Sequence, residues 1–106
     1  MSAPLMNPIQ WLMEWYASQC DGDWEHEHGI KIDTVDNPGW YMEVSLVGTD
    51  LEGRVLARIF RERSEHDWIN LDITDGKFRA SGGPLNLVEL IQSFADFVEG
   101  TLDETR

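Results

Sequence analysis

The stretch with the greatest chemical potential is Cys20-Asp21-Gly22-Asp23-Trp24-Glu25-His26-Glu27-His28, where one thiol, two imidazoles and four carboxylates crowd together. Histidine and carboxylate suit zinc or another divalent transition ion. The spacing serves a metal poorly. In an extended segment His26 and His28 share one face and Glu25 and Glu27 the other, so two imidazoles converge without a third ligand close in sequence. A solvated acidic loop leading into a strand is the simpler account, and neither metal nor cofactor is expected. Cys20 would act as a nucleophile only as a thiolate, which needs positive surroundings or a helix N-terminus. It stands instead near the end of a helix and before Asp21 and Asp23, where dipole and carboxylates both oppose ionisation. A buried, inert thiol is expected. The alternative this stretch keeps open is a small metal- or thiol-dependent enzyme using the Cys20–His28 segment.

The rest of the chain offers less chemistry. Pairs of carboxylates for acid–base work could be drawn from any of 20 acidic residues, so they single out nothing. No phosphate-binding GxxxxGK[ST], no GxGxxG and no GxSxG elbow occurs. Gly82-Gly83-Pro84 before a helix could cradle a phosphate, yet a sharp strand-to-helix turn explains it more simply. Arg54, Arg58, Arg61 and Arg63 alternate with apolar positions and read as the solvent side of a strand, paired to nearby acids. Of five tryptophans, Trp11 and Trp15 fit the core face of a first helix. Trp24, Trp40 and Trp68 fall at or near loops, where a ring either plugs the end of a sheet or anchors a partner.

The net charge is −12 on 106 residues. Such a field repels nucleic-acid phosphates and anionic lipid and speeds encounter with basic proteins. A basic protein is therefore the expected partner class, with no nucleic acid and no membrane. One cysteine allows no intrachain disulfide, the first residues lack a basic segment followed by an apolar run, and no stretch reaches the length of a spanning helix. These features fit a cytoplasmic protein.

The elements that must position these residues can be read from periodicity. The length suits one domain, spanning 1–106. Asn7-Pro8 starts a helix, Asn as cap and Pro in the first turn. Ile9, Leu12, Met13 and Tyr16 recur at helical spacing, widened by Trp11 and Trp15, and Gly22 is a left-handed stop. From Ile30 the period becomes two. Ile30 and Ile32 mark one strand, Asn37-Pro38-Gly39 a type II turn, and Trp40, Met42, Val44 and Leu46 a second strand. A third strand is expected over Arg54 to Arg63, a fourth over Ile69 to Ile73, an Asp75-Gly76 hairpin turn, and a short fifth strand at Phe78 and Ala80. Asn86, with Glu89 three residues on, resembles a capping box opening a last helix. Leu87, Leu90, Ile91, Phe94 and Val98 form its stripe and Gly100 stops it. The expected fold is α+β: an antiparallel sheet of about five strands in a meander, covered on one face by an N-terminal and a C-terminal helix.

Trp15-Tyr16, then Gln19 to His26, Gly29 to Ile32, Thr34 and Asp36-Asn37-Pro38-Gly39-Trp40 together resemble the opening of the Immunity protein 53 family, small antitoxins encoded beside polymorphic secreted toxins of bacteria. The similarity continues through Leu51, Gly53, Arg61-Glu62-Arg63-Ser64-Glu65, Asp67-Trp68-Ile69 and Gly82-Gly83-Pro84-Leu85-Asn86-Leu87, from about Trp11 to Val98. The resemblance implies stoichiometric masking of a cognate toxin without catalysis, and brings no established contact residues. Charge makes a basic, nuclease-type toxin the favoured target, because carboxylates can occupy a groove built for phosphates. A generic acidic adaptor is the remaining reading. The expected contact residues are Asp21, Asp23, Trp24, Glu25, Glu27, Asp36 and Trp40, with Trp24 and Trp40 close together at the sheet edge inside a rim of carboxylates.

Overall fold

Five strands and three helices arise in the order α1 (Pro8–Gln19), α2 (Trp24–Glu27), β1 (Ile30–Val35), β2 (Gly39–Ser45), β3 (Ile59–Ser64), β4 (Asp67–Thr74), β5 (Lys77–Gly82) and α3 (Leu87–Glu99). The computed structural model describes residues 4–102. The fold is α+β, an antiparallel five-stranded sheet flanked by the N- and C-terminal helices. None of the described helices is long and apolar enough to cross a membrane.

Local chemistry explains most element ends. Asn7 Oδ1 accepts the Gln10 N–H at 2.9 Å and Pro8 occupies the first turn of α1. Gly100, at φ 76°, closes α3 in the left-handed conformation that costs a glycine nothing. Asp75 and Gly76 both adopt positive φ, which gives the β4–β5 hairpin the twist its strands need.

Alternation then divides the sheet into two faces. Met42, Val44, Ile69, Leu71, Phe78 and Ala80 are buried under α3, which contributes Leu90, Ile91, Phe94 and Phe97. Trp11 and Trp15 of α1 meet Phe94 edge-on at 5.8 and 4.9 Å, so α1 leans on α3. The helix therefore buries Leu12 and half-buries both tryptophans, while Ile9, Met13 and Tyr16, expected in the same core stripe, stay exposed.

Four further expectations are corrected. The strand order is β1-β2-β5-β4-β3. It is a hairpin and a three-stranded meander joined edge to edge, because β5 returns to pair with β2 and β3 ends at the far edge. The third strand begins at Ile59, not Arg54. Arg54 is drawn off to the end of α3, where its guanidinium lies 4.6 Å over the Phe97 ring and donates to the Phe97 carbonyl. The β1–β2 reversal is not type II: the Asn37–Pro38 peptide is cis, and Gly39 has no positive φ. Gly39 opens β2, where an added Cβ would strike the Gly82 carbonyl oxygen. Finally, Asn86 stands at the N-cap of α3 as expected, but its side chain makes no capping bond. Its buried Oδ1 accepts from Gly83 and Trp68 N–H, and its Nδ2 donates to Asp67 and Glu89, which Arg63 bridges in turn.

Candidate functional site

The segment richest in reactive side chains forms a capped helical turn, not an extended run. Asp21 Oδ1 accepts from the Asp23 and Trp24 N–H groups at 2.9 and 3.0 Å. The Glu25 carboxylate reaches back to the N–H groups of Asp21 and Gly22, at 3.0 and 2.9 Å. This reciprocal arrangement satisfies the first N–H of the helix, that of Trp24, and fixes the Asp21–Asp23 segment leading into it. It also explains the carboxyl groups' acidity. The Trp24 N–H, then that of Asp23, hold Asp21 below its usual range, while the backbone N–H groups of Glu25, Asp21 and Gly22 do so for Glu25.

Both folded-state pKa values are lowered, so the ordering they provide is complete above the unfolded carboxyl range and is lost as pH falls through the depressed values. We expect the Gly22 and Trp24 amide resonances to move toward unstructured positions only below about pH 4. Amide chemical shifts followed through an acid titration check this; midpoints at or above the ordinary Asp and Glu values would refute the capping role.

Trp24 opens the turn and points inward. It is 5% exposed, its ring lies 6.2 Å edge-on to Trp15 and 6.0 Å from Tyr16 and His28, and its Nε1–H donates to the Val47 carbonyl at 2.8 Å. Gly48 lies against the same ring, so the loop after β2 packs directly on α2. Trp24 is thus a plug between α1, α2 and that loop. Trp40 is half-buried at the opposite end of β2, pairs in register with Thr34, and donates from Nε1 to the Pro84 carbonyl. The two tryptophans do not meet. Asp36 is exposed in the β1–β2 turn at Trp40's end, away from the α2 carboxylates.

The structure does bring together Asp21, Asp23, Glu25 and Glu27 around α2. Asp50 and Glu52, absent from the sequence-based set, belong to the neighbouring loop, where Glu52 accepts the Gly48 N–H. A cleft of about 380 Å³ opens among Asp21, Asp23, Trp24, His26, Glu27, His28 and Gly48. A second, of about 370 Å³, shares His26, Glu27 and His28 and extends to Lys31, Glu43, Ser45 and Lys77.

The chemistry available there is limited. His28 Nδ1 lies 3.1 Å from the Ser45 hydroxyl, which is half of a nucleophile–base arrangement. Among the described residues no carboxylate hydrogen-bonds that imidazole to orient it, and Glu43 is engaged by Tyr41 and Lys77. Among the described residues no three His, Cys, Asp or Glu side chains gather as a metal would require. Cys20, expected to be buried, is half-buried, and its thiol donates to the Tyr16 carbonyl at 3.3 Å.

Charge is distributed unevenly. Residues 1–53 carry ten acidic side chains and one basic, Lys31, whereas residues 54–106 carry ten acidic and seven basic. On the open face of the sheet opposite charges pair, Glu43 with Lys77 and Asp72 with Arg79. The acidic excess therefore lies on the α1–α2–β1–β2 side. No single loop shows this; it appears once the strand order places the N-terminal half at one edge.

A family model described as Immunity protein 53 matches residues 9–99. No curated protein and no solved structure matches the chain.

Proposed function

Because the chain belongs to the Immunity protein 53 family, and so has an immunity function, we propose that it neutralises a basic, nuclease-type secreted toxin by one-to-one masking, with no reaction of its own. The observation that carries this reading is the acidic half, ten carboxylates against one lysine over residues 1–53. A surface of that sign suits a groove lined with phosphate-binding lysines and arginines. Within it the carboxylates divide by role. Asp21 and Glu25 hold the α2 turn together, which leaves Asp23 and Glu27, exposed on the same turn, to face the toxin together with Asp50. Asp36 and Trp40 form a separate, distal part of the same acidic side.

Long-range attraction of this kind acts on encounter more than on residence. We expect the association rate with the toxin encoded beside this chain to fall at least about tenfold between roughly 20 mM and 500 mM salt, with a smaller change in dissociation. Stopped-flow mixing measures both. Association rates flat across that range would overturn the basic-toxin reading.

A further inference from the structure

The sheet has two edges, and they are built differently. The β3 edge carries Arg61-Glu62-Arg63 and a register shift between Glu62 and Ser64, devices that discourage another strand from adding. The β1 edge also carries charges, Lys31 and Asp33, but has neither bulge nor proline. Its pairing with β2 runs unbroken from Ile30↔Val44 to Val35↔Gly39, and every residue after Ile30 is exposed. Alternate residues of an antiparallel edge strand direct N–H and C=O groups outward; in β1 these are Ile30, Ile32 and Thr34, and of them the Thr34 N–H is already taken by Asp33 Oδ1 at 2.8 Å.

An apolar groove runs beside this edge. Because α1 leans on α3, a space of about 430 Å³ remains between α1 and the start of β1, lined by Leu12, Met13, Tyr16, His28, Gly29 and Ile30. Ile9, Met13 and Tyr16 follow one another at helical spacing along α1 and are 50%, 59% and 38% exposed. Ile32, on the helix-covered face of β1, is 40% exposed. The fold leaves each of these partly exposed, with Tyr16 resting on the Trp24 ring, and exposed apolar side chains bordering a groove mark a place for a partner.

Charge selects the occupant. β1 carries Lys31 and Asp33 and is bracketed by Glu27 and Asp36, a net negative surface within the half of the chain that has ten acids and, in Lys31, its one base. A second copy would bring two such surfaces face to face, which repulsion opposes. We propose that β1 receives an extended basic segment of the cognate toxin as a sixth strand, with its apolar side chains seated in the groove beside α1. Main-chain hydrogen bonds supply affinity, the groove selects alternate apolar side chains, and the acids around β1 select lysine or arginine between them. The proposal rests on the toxin-binding reading above.

The test uses the toxin domain encoded beside this chain, in a catalytically dead form. Hydrogen exchange on the complex should show β1 amides slowed at least tenfold relative to the free protein. The charge-neutral double variant Met13→Ser, Ile32→Thr should bind at least tenfold more weakly, while Leu85→Ser, Val88→Ser, exposed at the start of α3, should bind as the parent does. Melting curves for both variants exclude misfolding. A complex with unprotected β1 and undiminished binding by a folded Met13→Ser, Ile32→Thr protein overturns the sixth-strand proposal alone. Absence of any complex overturns the toxin-binding reading, and this proposal with it.

Discussion

Replacing Trp24 with alanine is expected to destabilise the fold by about 3–5 kcal/mol, the range for deleting a large buried aromatic. Trp24 fills the junction of α1, α2 and the loop after β2, touching Trp15, Tyr16 and His28, with its indole N–H bound to the Val47 carbonyl. The alanine variant loses the ring's burial, leaves a cavity, and strands that carbonyl. Trp24→Phe keeps most of the packing and removes only the hydrogen bond, so its cost should be about 1–3 kcal/mol. Urea denaturation followed by far-UV circular dichroism ranks the two. A Trp24→Ala protein with the parent's midpoint but impaired toxin binding would return this residue to the interface.

The second large effect concerns Gly83. A Cβ there would strike the His66 carbonyl oxygen and lie 2.7 Å from Asn86 Oδ1. Neither neighbour can yield easily. Asn86 is held by Gly83 N–H, Trp68 N–H, Asp67 and Glu89, and Arg63 ties the last two together. Gly83→Ala should therefore cost about 3 kcal/mol or more, the upper end for overpacking. Gly100→Ala provides the contrast: nothing lies within 4 Å of its added Cβ, and only its positive φ is strained, at about 1–2 kcal/mol. Equal losses in the two variants, measured by the same denaturation, would show that the strand-to-helix turn relaxes around the methyl group. The close approach also gives the Gly-Gly pair a structural reason that needs no phosphate.

The parts of the fold legible in the sequence are those set by neighbours along the chain. The Asn7-Pro8 start, the Asp75-Gly76 turn, the stripe of α3 and its Gly100 stop each depend on residues within a turn or two. What stayed illegible depends on distant partners. Trp24 becomes core only because Val47 and Gly48 arrive beside it. Residues 54–58 show an alternating pattern but do not pair, since Arg54 is claimed by Phe97. The insertion of β5 beside β2 follows from pairing between residues 32 to 42 positions apart, which no local period encodes. At the candidate site, the carboxylate cluster was visible as composition, whereas its division into capping and outward-facing acids was not. That division follows from the helical turn Trp24–Glu27, too short to register as a periodic pattern.

The strand order also governs how the chain behaves while it is being made. β5 is the last strand to leave the ribosome, yet it belongs between β2 and β4. Until residue 82 emerges, the β1–β2 hairpin has no neighbour on its inner edge, and the face bearing Met42 and Val44, both fully buried in the finished protein, has no cover. A nascent sheet in that condition is open to pairing with another nascent chain. The ten acids and single base of the first 53 residues repel such neighbours throughout that interval, as gatekeeper charges do beside unavoidable apolar strands. The same carboxylates would then act twice: first to keep unfinished copies apart on the polysome, and later in the toxin binding proposed above.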